Sequence, residues 1–160
     1  MKLASFEYQG IDGIGIVAPD GQSILHLNPV LAQSTGPGRQ CTMMDLIEHE
    51  PDFAQKISSR DLSLAPRLPM AAVQLKPPVR RPSKIICLAL NNSANSERII
   101  KGPAHPAFFT KPASALIGHQ EAIEIRPEDG RTHPEPELAL IIGKGGKNIR
   151  AQDAYSHVFG

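Results

Sequence analysis

Two carboxylates stand two residues apart, Glu135 and Glu137, at the mouth of an apolar run, in Arg131-Thr-His-Pro-Glu135-Pro-Glu137-Leu-Ala-Leu-Ile-Ile-Gly143. On an extended strand alternate side chains share a face, so both acids and His133 fall on one side. Like charges about 7 Å apart along a strand repel unless something positive lies between them. A divalent ion with oxygen ligands is the natural guest, and magnesium is often held by one or two carboxylates with water and substrate. The plain alternative is a solvated strand end whose acids face water. Pro134 and Pro136 favour extended backbone before them and cannot donate to a ladder, which suits a strand entry or an edge.

The elements around this stretch must come from a chain of 160 residues, 41% hydrophobic, with a net charge of +1 and no Trp. With a mean hydropathy of −0.20, this is globular composition whose core rests on Ile, Leu, Val and Ala. No basic stripe interleaved with aromatics points to nucleic acid. No apolar run is long enough to span a membrane. Met1-Lys-Leu-Ala-Ser-Phe-Glu-Tyr8 lacks the apolar centre of a signal peptide. Cys41 and Cys87 lie far apart, and Cys87, inside an apolar run, reads as a buried thiol. A reduced, cytoplasmic setting is expected.

Strands are expected over Leu3–Tyr8, Ile14–Ala18 and Ser23–Leu27, with Gly10–Gly13 as punctuation and Pro19-Asp-Gly21 as a tight turn. Gly36-Pro-Gly38 marks a loop. Thr42 is positioned to cap a helix carrying Met43, Leu46 and Ile47 on one face, Pro51 ends it, and a short helix follows over Asp52–Ser59. His26 and His49 are lone histidines of packing or surface type. Prolines accumulate between Leu64 and Pro82, so the predicted division is a small β-rich unit over 1–76, a linker over 77–83 and a second unit over 84–160.

In that second unit Lys84–Leu90 reads as a strand buried on both faces. It is followed by a polar loop from Asn91, in which Asn92 or Ser93 can cap a helix. Pro106–Lys111 is a strand leading to a loop, Ala122–Ile125 a short strand, and Arg126–Thr132 a charged turn. Gly143-Lys-Gly-Gly-Lys147 lacks the spacing of a phosphate-binding loop and reads as a hairpin turn. Ala151–Phe159 reads as a helix.

Four segments in the same order carry a resemblance: Pro82-Ser-Lys-Ile-Ile-Cys-Leu-Ala-Leu-Asn91, Phe108-Phe-Thr-Lys-Pro-Ala-Ser-Ala-Leu-Ile-Gly118, Glu135-Pro-Glu-Leu-Ala-Leu-Ile-Ile-Gly-Lys144, and Gly146-Lys-Asn-Ile with Asp153-Ala-Tyr-Ser-His-Val-Phe-Gly160. From about Val73 onward the chain resembles the fumarylacetoacetate hydrolase family, and its first 70 residues resemble the small N-terminal domain of some members. The resemblance implies an α+β fold, mostly β: a mixed β-sheet roll with short helices, in a homodimer that holds Mg²⁺ or Mn²⁺. Glu135 and Glu137 match two of the family's three acidic ligands. The third, an Asp, and a functional Lys belong to segments beyond Gly160, so the expectation is the front portion of a longer enzyme.

The resemblance also marks departures. Hydrolytic members carry Asn-Tyr-x-x-His-x-x-Glu after the first buried strand. Here Asn91 matches, Asn92 replaces Tyr, Asn95 replaces His, Glu97 falls one place early and Arg98 takes the Glu position. An amide takes no proton at neutral pH, so Asn95 cannot serve as general base, and Glu97 is the remaining catalytic candidate. Lys111 and Ser114 are candidates for the pocket wall, with Lys111 also expected to pair with a carboxylate; His133 is expected beside the ligands or in solvent. The function implied is metal-dependent hydrolysis, decarboxylation or isomerisation of a small 2-oxo or 1,3-dioxo acid, as in aromatic-compound degradation. The alternative is a non-catalytic fragment that serves at most as a folding or dimerisation module.

Overall fold

Alternation along the first strands builds a sheet with two apolar faces. The computed structural model describes residues 1–35, 40–50, 52–91 and 104–160. Five antiparallel strands, β1 (Leu3–Tyr8), β2 (Ile11–Val17), β3 (Ser23–His26), β4 (Arg67–Pro69) and β5 (Gln74–Lys76), pair in the order β4-β3-β2-β1-β5. Tyr8 pairs with Ile11, so Gln9 and Gly10 form a two-residue turn, both with positive φ, 51° and 77°. That is the hairpin geometry whose twist matches the strands.

The two outermost strands are joined by only Met70–Val73, most of it a 3₁₀ turn. A flat five-stranded sheet separates its edges by about 19 Å, more than a connection rising about 2 Å per 3₁₀ residue can span. The sheet therefore curls. Phe6, Ile24 and Leu68 are buried inside the curl, with Met70, Val73 and Leu75 packed against them. Gly13 was expected to interrupt the chain but lies within β2, opposite Phe6. A Cβ there would come within 2.7 Å of the Phe6 ring, so this glycine makes room for the aromatic side chain.

The outer face is covered by helices. Among the described residues these are α1 (Asn28–Thr35), α2 (Met43–His49) and α3 (Phe53–Lys56), the last running into a 3₁₀ turn over Ile57–Ser59. Thr42 caps α2 as expected: its hydroxyl accepts from Asp45 N–H while the Asp45 carboxylate accepts from Thr42 N–H. Met43, Leu46 and Ile47 are buried with Ile14, Leu27, Leu31, Cys41, Phe53, Ile57 and Val79. Arg60 pairs with Glu50 and lies 5.7 Å from the Phe53 ring centroid, closing the α2–α3 corner. Helix α1 was not anticipated from the sequence. It is tied down by Asn28, whose Oδ1 accepts from Ile14 N–H at 2.8 Å and whose Nδ2 donates to the Cys41 carbonyl at 2.7 Å.

Beyond residue 84 the ladder is short. β6 (Ile85–Ala89) and β7 (Ala107–Lys111) form an antiparallel two-stranded sheet. The expected strand buried on both faces is present, but Ile86 and Leu88 are exposed and Cys87 is only partly buried. Ala122–Ile125 forms no ladder, and its isoleucines face solvent. Arg126–Thr132 is the expected charged turn, with Arg126 donating to Asp129 across a 3₁₀ turn at Pro127–Asp129. Ala151–His157 is 3₁₀, not α. The predicted loop at Gly36–Gly38, the stop at Pro51 and the cap at Asn92 or Ser93 lie outside the described residues. With two sheets and short helices, the described chain is α+β and mostly β.

Two outcomes follow. Asn28→Ala removes the bonds to Ile14 and Cys41 and takes from the buried Ile14 N–H its side-chain acceptor, and urea unfolding is expected to show a loss of about 1–3 kcal/mol. His26 sits edge-on to Phe6, ring centroids 5.2 Å apart, and 3.2 Å from Asn28 Oδ1. Burial holds its pKa below the usual value of 6.5, opposed by the Asn28 bond. The unfolded state thus binds the proton more readily, so stability is full above 6.5 and is lost as pH falls toward the folded value. Melting curves between about pH 7.5 and 5.5 should show this loss in the native protein and a flatter profile in His26→Gln.

Candidate functional site

The segment carrying the two acids hangs between two anchors, one on the first sheet and one on the helical core. The first is at its start. Gln74 donates to the His119 carbonyl at 2.9 Å, and Lys76 Nζ lies 3.1 Å from Glu121 and 3.6 Å from Glu7. Glu121 also accepts from Gly118 N–H at 2.7 Å. That N–H, with Lys76, holds the Glu121 carboxyl below its ordinary value, while the Glu121 bond holds Lys76 above its own. The second anchor is at the end. Ile141 N–H donates to the Gly160 carbonyl at 2.7 Å, Phe159 N–H donates to the Ile141 carbonyl at 2.8 Å, and both side chains pack against the helical core.

Between these anchors the structure departs from the expected strand. Residues 132–141 carry no ladder, and only an isolated bridge joins Ile142 to Val158. Pro134 and Pro136 remove two donors, and no neighbouring strand among the described residues offers partners for the rest. The expected hairpin at Gly143–Lys147 is replaced by a longer excursion that returns at His157–Phe159, where Gly143 and Lys144 N–H groups both donate to the His157 carbonyl. A Cβ on Gly143 would lie 2.9 Å from that of Phe159.

Glu135 and Glu137 are both exposed. His133 Nε2 lies 3.2 Å from Glu135 Oε1, and neither acid meets a Lys or Arg among the described residues. Hard oxygen donors this close in sequence suit a divalent cation as a partial shell. Among the described residues, however, no three His, Cys, Asp or Glu side chains converge into a fuller one.

The other candidates are scattered. Lys111 ends β7 opposite Ile85, with its ammonium 5.7 Å from the Phe109 ring centroid. The expected carboxylate partner is absent among the described residues; strand alternation puts Lys111 and Phe109 on the same face, and the ring takes the charge. Ser114 is exposed on the 3₁₀ turn Ala113–Ala115. Glu97, with Asn95 and Arg98, lies outside the described residues.

One feature escaped the sequence reading. An open cavity of about 330 Å³ lies where β6 ends and β7 begins, walled by Leu88, Leu90, Asn91, His105 and Pro106 among others. His105 stands alone in the sequence beside a proline, and no spacing signalled it.

Comparison with known proteins adds the family. Residues 84–160 match the family model described as fumarylacetoacetate (FAA) hydrolase C-terminal. The chain is 31% identical over 163 residues to the mitochondrial oxaloacetate tautomerase FAHD2A of Bos taurus and 34% identical to the mitochondrial oxaloacetate tautomerase fahd2 of Xenopus laevis. All of this chain is covered in both, but only 50% of each relative. Among solved structures it resembles maleylpyruvate hydrolase from Sphingobium sp. SYK-6, crystallised with manganese(II) and pyruvate, at TM-score 0.76 and 31% identity; the match covers 100% of this chain and 56% of that one. A fumarylacetoacetate hydrolase from Exiguobacterium antarcticum matches at TM-score 0.71 and 28% identity, with 53% of its chain covered. The chain thus spans about half the length of the relatives it matches.

The relatives overturn the cytoplasmic expectation, since both tautomerases are mitochondrial. Cysteine usage does not distinguish one compartment from another here. The relatives are enzymes by name, and the solved neighbours share the fold. The four sequence segments, the fold and the family match agree: the chain belongs to the fumarylacetoacetate hydrolase family.

Proposed function

We propose that this chain is part of a divalent-metal-dependent enzyme acting on a 2-oxo or 1,3-dioxo carboxylic acid. In this reading residues 1–76 form an accessory unit, 77–83 a linker and 84–160 the first part of the catalytic domain, in a homodimer. The observation that carries it is the Glu135-x-Glu137 pair within the family match, with neither carboxylate engaged by a Lys or Arg among the described residues. The names of the relatives, an oxaloacetate tautomerase and a maleylpyruvate hydrolase, support the substrate class.

Glu135 and Glu137 hold the ion, Mg²⁺ or Mn²⁺, which supplies Lewis-acid stabilisation of charge developing beside the keto group. His133, 3.2 Å from Glu135, orients that carboxylate. Lys111 offers a positive charge and Ser114 a hydroxyl to the substrate's carboxylate. Asn95 stands where hydrolytic members have His and cannot take a proton from water, and Glu97 falls one place early for the family's Glu. Isomerisation or decarboxylation, which needs no activated water, is therefore favoured over hydrolysis.

A second reading, that these 160 residues by themselves form a non-catalytic module, draws on the exposure of both acids and the absence of a third converging ligand among the described residues.

A Mn²⁺ titration followed by EPR separates the two. If the pair holds metal, the free Mn²⁺ signal falls on adding the protein, and Glu135→Gln with Glu137→Gln weakens binding by at least about tenfold. Equal binding by both proteins, or none by either, would favour the module. Where metal binds, oxaloacetate and acylpyruvates with and without Mg²⁺ are the substrates to assay, and turnover of oxaloacetate exceeding hydrolysis of acylpyruvates is the expected result.

A further inference from the structure

Four consecutive residues at the end of β6, Leu88 to Asn91, wall the open cavity of about 330 Å³, together with His105 and Pro106 ahead of β7. Along a regular strand successive side chains point to opposite faces, so four neighbours bordering one space need a break in that pattern. Leu90 supplies it. Its φ is 58°, in the left-handed region where a bulky side chain is an outlier. Glycine takes that conformation at no steric cost, yet a leucine stands there, more than half exposed. Backbone outliers of this kind gather at ligand sites. The two chain ends also match in length. Asn91 follows the last ladder pair, Ala89 with Ala107, by two residues, and His105 precedes it by two.

The chemistry of the wall narrows the ligand. Leu88, Leu90 and Pro106 give it apolar surface, and its polar side chains are one amide and one imidazole. Asn91 Nδ2 and a ring N–H of His105 are donors, and neither side chain has a hydrogen-bond partner among the described residues. No Asp or Glu stands among the described wall residues to repel an anion, and no Lys or Arg to call for a second negative charge. A volume near the lower end of small-molecule sites, which run from about 300 to 1,000 Å³, keeps the ligand short. We propose that this cavity binds a small monocarboxylate, its carboxylate accepting from Asn91 and His105 and its short apolar body lying on Leu88, Leu90 and Pro106. The site uses neither Glu135 nor Glu137, so the inference goes beyond the proposed activity and needs no metal.

NMR titration of the metal-free, isotope-labelled chain with sodium butyrate tests it. Butanol and butylammonium chloride serve as probes that keep the same body with no charge or the opposite one. Butyrate is expected to shift the Asn91 side-chain amide, the His105 ring and the Leu88 and Leu90 methyl resonances. Its Kd should be about 1–10 mM, the scale open to a ligand of about six heavy atoms. Butanol and butylammonium should bind at least about tenfold more weakly. His105→Leu and Asn91→Leu each remove a donor while keeping apolar bulk. Each is expected to weaken butyrate about tenfold, with β1 and β2 resonances in place as the mark of an intact fold. An equal response to butyrate and butanol would overturn the proposal, because the cavity would then take apolar molecules without reading a carboxylate. So would unchanged butyrate affinity in both variants, or no shift at these residues up to about 100 mM, tenfold above the expected Kd. No metal or turnover enters the measurement, so its failure is distinct from failure of the catalytic reading.

Discussion

Four residues, Met70–Val73, join the two edges of a five-stranded sheet, and this short tether shapes everything around it. Because the edges must meet, the sheet curls, and the curl creates an interior that Phe6, Ile24 and Leu68 fill. The convex side then presents Ile14 to the helices, which bury Leu46, Phe53 and Ile57 against it. The cross-strand aromatic contact depends on the same bend: Phe6 lies over Gly13 and meets His26 edge-on. The buried apolar core of the described residues thereby lies at or before Val79.

The remaining chain is attached to this body more than it is packed into one of its own. β5, the edge strand that the tether delivers next to β1, supplies Gln74 and Lys76 to hold the His119–Glu121 turn. Lys76 is shared between Glu7 and Glu121, one from each part of the chain, so a single ammonium joins them. Farther on, Ile141 and Phe159 close on the helical core through paired backbone hydrogen bonds. The acids at 135 and 137 lie between these fixed points, where neither meets a Lys or Arg among the described residues.

This arrangement gives the family assignment its physical sense. The two anchors fix the backbone on both sides of Glu135 and Glu137 and leave both carboxylates open to solvent. The cavity between the end of β6 and the start of β7 carries Asn91 and His105 on its wall.

Local signals in the sequence were sufficient wherever a contact involves near neighbours. The Thr42–Asp45 cap, the Met43-Leu46-Ile47 face, the first-strand alternation and the turn at Ala18–Gly21 are all short-range and were all legible. The paired acids and the family motifs were legible too, because spacing and residue type carry them. What the sequence could not reveal depends on partners distant along the chain. Gly13 looked like punctuation because the ring that needs its space belongs to another strand. Helix α1 carries no strong amphipathic signal and is held through Asn28 by Ile14 and Cys41. Lys111 seemed destined for a carboxylate, but strand register set it over Phe109. The run at Lys84–Leu90 read as a strand buried on both faces, and the one from Glu135 as a strand entry or edge, because an apolar run reports what a segment can bury. Whether it is buried is decided by the surface brought against it, and among the described residues only the tertiary structure showed that Ile86, Leu138 and Leu140 meet solvent.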